Sequence, residues 1–166
     1  MSSPCSTTQY DVFISFRGED TRETFTVHLF NALESKGIQT YMDCRLERGE
    51  SVWPALEKAI QSSLMSIVVF SENYANSKWC LEELVKILEW KENHGQVVIP
   101  VFYRTDPTDI RNQTGSYEKA FAKHERDLAD SKSKGESESM AHNIRKWRQS
   151  LKKSANISGW HSRLYP

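Results

Sequence analysis

Glu83 stands in the run Trp79-Cys80-Leu81-Glu82-Glu83-Leu84, four residues after Trp79. Residues four apart share a helix face, so a helix here sets an indole beside a carboxylate. The other neighbours on that side are Cys80, Ile87 and Trp90. Aromatic and aliphatic company desolvates a carboxylate and raises its pKa, a hint of function. A solvated glutamate on an outer helix face fits the same pattern. Trp79 reads either as a core residue at a helix start or as a wall that stacks on a flat ring. Cys80 reads first as a small buried hydrophobe. Arg17 and Arg22 are the other chemical pair; arginine forks at a strand end can meet phosphate oxygens, or pair with Glu19, Asp20 or Glu23. Ser15 and Phe16 sit on the same strand end and either line a pocket or join the core. The five histidines are scattered without ligand spacing, so no metal site is expected.

The elements that must position these groups follow from periodicity. Tyr10–Phe16, Ile38–Met42, Met65–Phe70, Val97–Tyr103 and Ile157–His161 read as strands, and the third is apolar almost throughout, like a parallel strand covered on both faces. Helices are expected from Thr21 to the Gly37 stop, over Pro54–Ser62, Trp79–Glu92 and Tyr117–Leu128, and around Ile144, Trp147 and Leu151. Residues 1–9 read as a loose tail, 43–53 as a charged loop pivoting on Gly49, and 130–139 as a polar linker or loop. Strands alternating with helices give an α/β domain over 10–166, a parallel five-stranded sheet with helices on both faces. Ligands of such sheets sit at the carboxyl ends of the strands, which points to Arg17–Arg22, Asp43–Trp53 and Ser71–Glu83.

The 166 residues suit one domain, and 22 Lys+Arg balance 22 Asp+Glu. Net charge zero argues against binding nucleic acid by bulk electrostatics, although Lys146, Arg148, Lys152 and Lys153 cluster locally. Cys5, Cys44 and Cys80 form no C-x-x-C pair and signal neither a disulfide framework nor zinc. Nothing reads as a signal peptide or membrane span, which implies a cytoplasmic protein, with the nucleus as the alternative. No dinucleotide-type or P-loop glycine motif occurs, and Phe70 is followed by Ser71-Glu72 where a receiver domain needs aspartate.

Four ordered blocks carry a resemblance: Tyr10-Asp11-Val12-Phe13-Ile14-Ser15-Phe16-Arg17-Gly18-Glu19-Asp20-Thr21-Arg22; Leu46-Glu47-Arg48-Gly49-Glu50; Ser71 to Leu84; and Val98 to Tyr103 with Asp106 to Arg111. Together they resemble a plant Toll/interleukin-1 receptor (TIR) domain, and the match runs from about Tyr10 to His161. The resemblance implies a flavodoxin-like fold. It also implies self-association-dependent cleavage of NAD+ (NADP+ being a related substrate) at the nicotinamide–ribose bond, with linear or cyclised ADP-ribose products and no resident cofactor. Some members also make cyclic nucleotides from nucleic acid. Glu83 then matches the catalytic glutamate, Trp79 a pocket wall, and Cys80 a position tied to the nucleic-acid-dependent activity. Arg17, Arg22, Ser15 and Phe16 fall at the substrate pocket. Asp43–Trp53 corresponds to a gating loop carrying Arg48, Gly49 and Trp53, the last where the family usually has an aliphatic residue. Partners are NAD+ and other TIR domains, with no membrane. Family pairing through the first helix often uses Ser-His; here Val27-His28 occupies those positions. The final family helix after the Gly159-Trp160-His161 strand is expected to be missing. A non-catalytic adaptor binding other TIR domains shares all of these features.

Overall fold

The computed structural model describes residues 10–42 and 53–162. Its strands are β1 (Tyr10–Ser15), β2 (Thr40–Met42), β3 (Ser63–Phe70), β4 (Val97–Phe102) and β5 (Trp160–His161). All pair in parallel in the order β2-β1-β3-β4-β5. The register sets Val12 opposite Thr40, Ser15 opposite Val68 and Phe70 opposite Phe102. This is the expected flavodoxin-like sheet. The helices are α1 (Gly18–Thr21), α2 (Val27–Ser35), α3 (Trp53–Gln61), α4 (Lys78–His94), α5 (Pro107–Asn112), α6 (Ser116–Ala129) and α7 (Lys134–Ala155). A π-helical turn over Arg22–Thr26 joins α1 to α2, and a 3₁₀ turn over Tyr74–Asn76 precedes α4.

Alternation along the strands divides the core. Phe13, Val68, Phe70, Val98 and Phe102 face one side, where Leu56 and Ile60 of α3, Leu81 and Leu84 of α4, and Trp147 and Leu151 of α7 cover them. Val12, Ile14, Phe16, Ile67, Val69 and Val101 face the other, where Phe25 and then Leu29 and Leu33 of α2 pack. β3 is apolar because it serves both layers.

Two elements differ from the expected reading. The polar stretch 130–139 is not a linker: α7 begins at Lys134, and the Ser133 side chain caps it by accepting from Glu136 N at 3.1 Å. The turn after Asp106 continues into α5, with Asp106 as N-cap and Pro107 in the first turn. The expected N-terminal tail and the gating-loop residues Arg48 and Gly49 lie outside the described residues.

Candidate active site

β1 ends at Ser15, and the chain turns at once into α1, so Arg17, Gly18 and Asp20 stand at the carboxyl edge of the sheet. β3 ends one strand over, and the segment from Ser71 leads into α4, which starts at Lys78 under the Ser77 cap (Cys80 N to Ser77 Oγ, 3.1 Å). Between these segments opens a cleft of about 690 Å³ whose wall includes Arg17, Asp20, Arg22, Ser77, Trp79 and Cys80. Two of the three stretches picked out in the sequence therefore meet here.

The Arg17 guanidinium bonds Glu19 at 2.9 Å and lies 3.7 Å from Asp20. Arg22 sits over the Phe16 ring, 5.2 Å from its centroid. A side chain at Gly18 would meet that guanidinium, with a Cβ only 2.8 Å from Arg22 Nη2, so glycine leaves it room. Asp20 does more than pair with arginine. It accepts from Ser71 Oγ at 2.6 Å and Asn73 N at 2.9 Å, tying the two loops together. Phe16 is 1% exposed and belongs to the core beneath Arg22. Cys80 is likewise buried, its thiol directed to the Phe16 carbonyl at 3.6 Å.

Glu83 lies one turn further along α4 than Trp79 and Cys80 and is 2% exposed. At 100° per residue it stands across the helix from the buried Leu81, Val85 and Leu88. In the fold that opposite side is covered as well: Ile87 is 0% exposed, because α4 runs between α3 and α7. A buried carboxylate requires hydrogen-bond donors. Ser15 Oγ supplies one to Oε2 at 2.8 Å, and the Tyr74 hydroxyl lies 2.9 Å from the same Ser15 oxygen and 3.0 Å from the Cys80 carbonyl. Burial, reinforced by the neighbouring Cys80 and Glu83, holds the Tyr74 hydroxyl well above its ordinary pKa, so it stays a proton donor. Ser15 and Tyr74 are both 0% exposed, so neither forms the open wall of the cleft. Tyr74 was missed in the sequence. The available signal was that it is the only aromatic in a polar segment after a central strand.

Trp79 is half-buried, and Trp53, the first residue of α3, packs against it at 5.0 Å with rings nearly perpendicular. The end of the charged loop thus touches the cleft wall. His28 is exposed on α2, away from these residues. Among the described residues no group of three or more His, Cys, Asp or Glu could hold a metal ion, and no helix is long and apolar enough to cross a membrane.

The geometry can now be set beside known proteins. The model of the family described as TIR domain matches residues 9–165. Disease resistance protein RPV1 of Vitis rotundifolia is 51% identical over 155 residues, 93% of this chain and 10% of that protein. TMV resistance protein N of Nicotiana glutinosa is 52% identical over 159 residues, 95% of this chain and 13% of that protein. The chain thus spans about a tenth of the length of these relatives. Among solved structures, the TIR domains of the activated Roq1 resistosome, which directly recognizes the pathogen effector XopQ, superpose with a TM-score of 0.81 at 52% identity, covering 94% of this chain and 89% of that one. A parallel sheet of this order, the four ordered sequence blocks and these matches agree: the chain belongs to the TIR domain family, and its relatives are plant disease resistance proteins.

Proposed function

We propose that the cleft binds NAD+ and that Glu83 promotes cleavage of its nicotinamide–ribose bond when TIR domains associate with one another, as an intracellular step in plant defence. The observation that carries this reading is a buried, hydrogen-bonded carboxylate one helical turn behind an indole, beside a cleft edged by two arginines. Nicotinamide in NAD+ is a cationic leaving group and departs neutral with the electrons of the C–N bond, so no general acid is required. The ribosyl carbon gains oxocarbenium character, which a nearby carboxylate stabilises. Water attacks that carbon and releases a proton, giving ADP-ribose; attack by the adenine of the same molecule gives the cyclised product. Arg17 and Arg22 suit the pyrophosphate, and Trp79 suits a flat ring. NADP+ presents the same bond and is a second substrate. The resistosome likeness supports the association of TIR domains that activation requires.

The test is nicotinamide release from NAD+ at high protein concentration, with Glu83→Ala in parallel. We expect release by the wild type and a loss of about 10²-fold or more in the variant. Equal release by both overturns the role of Glu83. No release by either, with association seen by light scattering, makes the chain an adaptor that acts by TIR–TIR contact alone.

A further inference from the structure

The cleft wall carries more carboxylates than cations. Among the described residues it sets Arg17 and Arg22 against Glu19, Asp20 and Glu23. A pyrophosphate that is to meet an arginine here must therefore compete with carboxylates already on the wall.

The two carboxylates beside Arg17 are held very differently. Asp20, whose side chain is 12% exposed, lies 3.7 Å from Arg17 Nη1 and also accepts from Ser71 Oγ at 2.6 Å, Asn73 N at 2.9 Å and Asn73 Nδ2 at 3.3 Å. Moving it would strand those donors, so it belongs to the frame of the cleft. Glu19 accepts from Arg17 Nη2 at 2.9 Å, and among the described residues it has no other hydrogen bond or ion pair. Its side chain is 83% exposed, so swinging away from Arg17 only completes its hydration. Exposed ion pairs of this kind are weak. The Arg17 side chain itself is 21% exposed, so the guanidinium stays while its outer partner can leave. A ligand that takes Arg17 thus displaces Glu19 and leaves Asp20 in place.

We propose that Glu19 is an internal competitor for Arg17: its carboxylate sits on Nη2, and an oxygen of the ligand's pyrophosphate replaces it there. This rests on the reading of the cleft as the site for NAD+. The pyrophosphate is unchanged when the nicotinamide–ribose bond is cleaved. Glu19 therefore opposes NAD+ and ADP-ribose alike, a uniform effect on binding rather than on the bond-breaking step. Its return to Arg17 favours the departure of ADP-ribose, which otherwise keeps that anionic contact after the reaction.

The test is calorimetric titration of the chain with ADP-ribose at low ionic strength, where such pairs are least screened. Glu19→Gln keeps the shape and removes the charge of an exposed side chain, and it should tighten binding about two- to five-fold. Glu23 is exposed on the same wall and has no ion pair among the described residues. Glu23→Gln therefore reports the general loss of negative charge and should tighten binding by less. Arg17→Gln should weaken binding, and adding Glu19→Gln to it should gain no more than Glu23→Gln does, because the contested position is gone. In turnover, Glu19→Gln should lower the KM for NAD+ and the inhibition constant of ADP-ribose by the same factor. Equal gains from Glu19→Gln and Glu23→Gln, or the same gain with and without Arg17, overturn the proposal and leave the NAD+ reading standing. Binding that Arg17→Gln does not weaken, or no binding by wild type and Glu19→Gln alike, overturns the pyrophosphate contact and the competitor together. Tighter ADP-ribose binding in a chain that releases no nicotinamide upholds the competitor and overturns the reaction instead.

Discussion

Asp20 shows how a residue can be placed in the right segment by the sequence and given only part of its task. Its position after β1 reads as an arginine partner, and Arg17 does lie 3.7 Å away. In the fold its side chain is only 12% exposed and gathers Ser71 Oγ, Asn73 N and, at 3.3 Å, Asn73 Nδ2. These partners lie 51 and 53 residues away, so no local pattern announces them. Hydrogen bonds to a charged group each contribute more than neutral ones, and removing the carboxylate strands several donors at once. Asp20→Ala should therefore lower stability by about 2–3 kcal/mol in urea unfolding, with an unchanged m-value. It should also loosen the segment that carries Tyr74. An unchanged midpoint would show that solvent replaces these bonds. Glu83 follows the same logic: spacing placed it on a helix with Trp79, but its burial depends on α3 and α7 flanking α4, and its donor Ser15 is 68 residues away.

At the scale of elements, the strands were legible wherever they are apolar on both faces, and β1, β3 and β4 begin and end within two residues of the expected bounds. The first half of α7 was hidden by composition, because Ser, Lys, Gly and Glu dominate it. Its start was nevertheless written in Ser133-Lys134-Gly135-Glu136, a serine followed three residues later by glutamate. Asp106-Pro107 similarly announced α5 as a cap and a first-turn proline. Gly159 is the element-scale residue whose importance only packing reveals. A Cβ there would lie 2.1 Å from the Pro100 carbonyl oxygen and 2.6 Å from its ring, against backbone that cannot step aside. Pro100 has no N–H to offer, and β5 pairs only beyond it, at Val101 and Phe102. Gly159→Ala should push β5 off the sheet edge at a cost of about 1–3 kcal/mol. The Ser162 amide, which donates to Phe102 O at 3.0 Å, should then exchange with solvent markedly faster. Protection equal to the wild type would mean that the edge absorbs the methyl.

The molecule as a whole is wound unevenly. The β1–β2 crossover runs towards one edge and later crossovers towards the other, so handedness puts α2 on one face and α3, α4 and α7 on the opposite face. Over β3 to β5 the α2 face keeps an apolar groove of about 670 Å³ that includes Phe25, Leu29, Ile99 and the 58% exposed Trp160. Charge is spent locally: Lys146, Arg148 and Lys153, which cluster in sequence, pair with Glu89, Glu125 and Glu92. On the helical side, His124 of α6 links three elements. It is 1% exposed, packs against Phe121 and Trp147, and its Nε2–H donates to the Ala75 carbonyl at 2.8 Å. Nδ1 then carries the lone pair and has no partner among the described residues. Protonation would bury a charge there without an acceptor. Desolvation chiefly, with Lys78 and Lys123 adding and Asp127 and the Ala75 bond opposing, lowers the pKa of His124 from its ordinary 6.5. Below that value the unfolded chain takes up a proton that the folded chain resists, so stability falls as pH drops from neutrality towards the lowered pKa. His124→Gln keeps an N–H for Ala75 but does not titrate. It should be less stable than the wild type at pH 7, yet lose less of its Tm between pH 7 and pH 5. Parallel Tm curves for the two proteins would show that the acid sensitivity of the fold arises elsewhere.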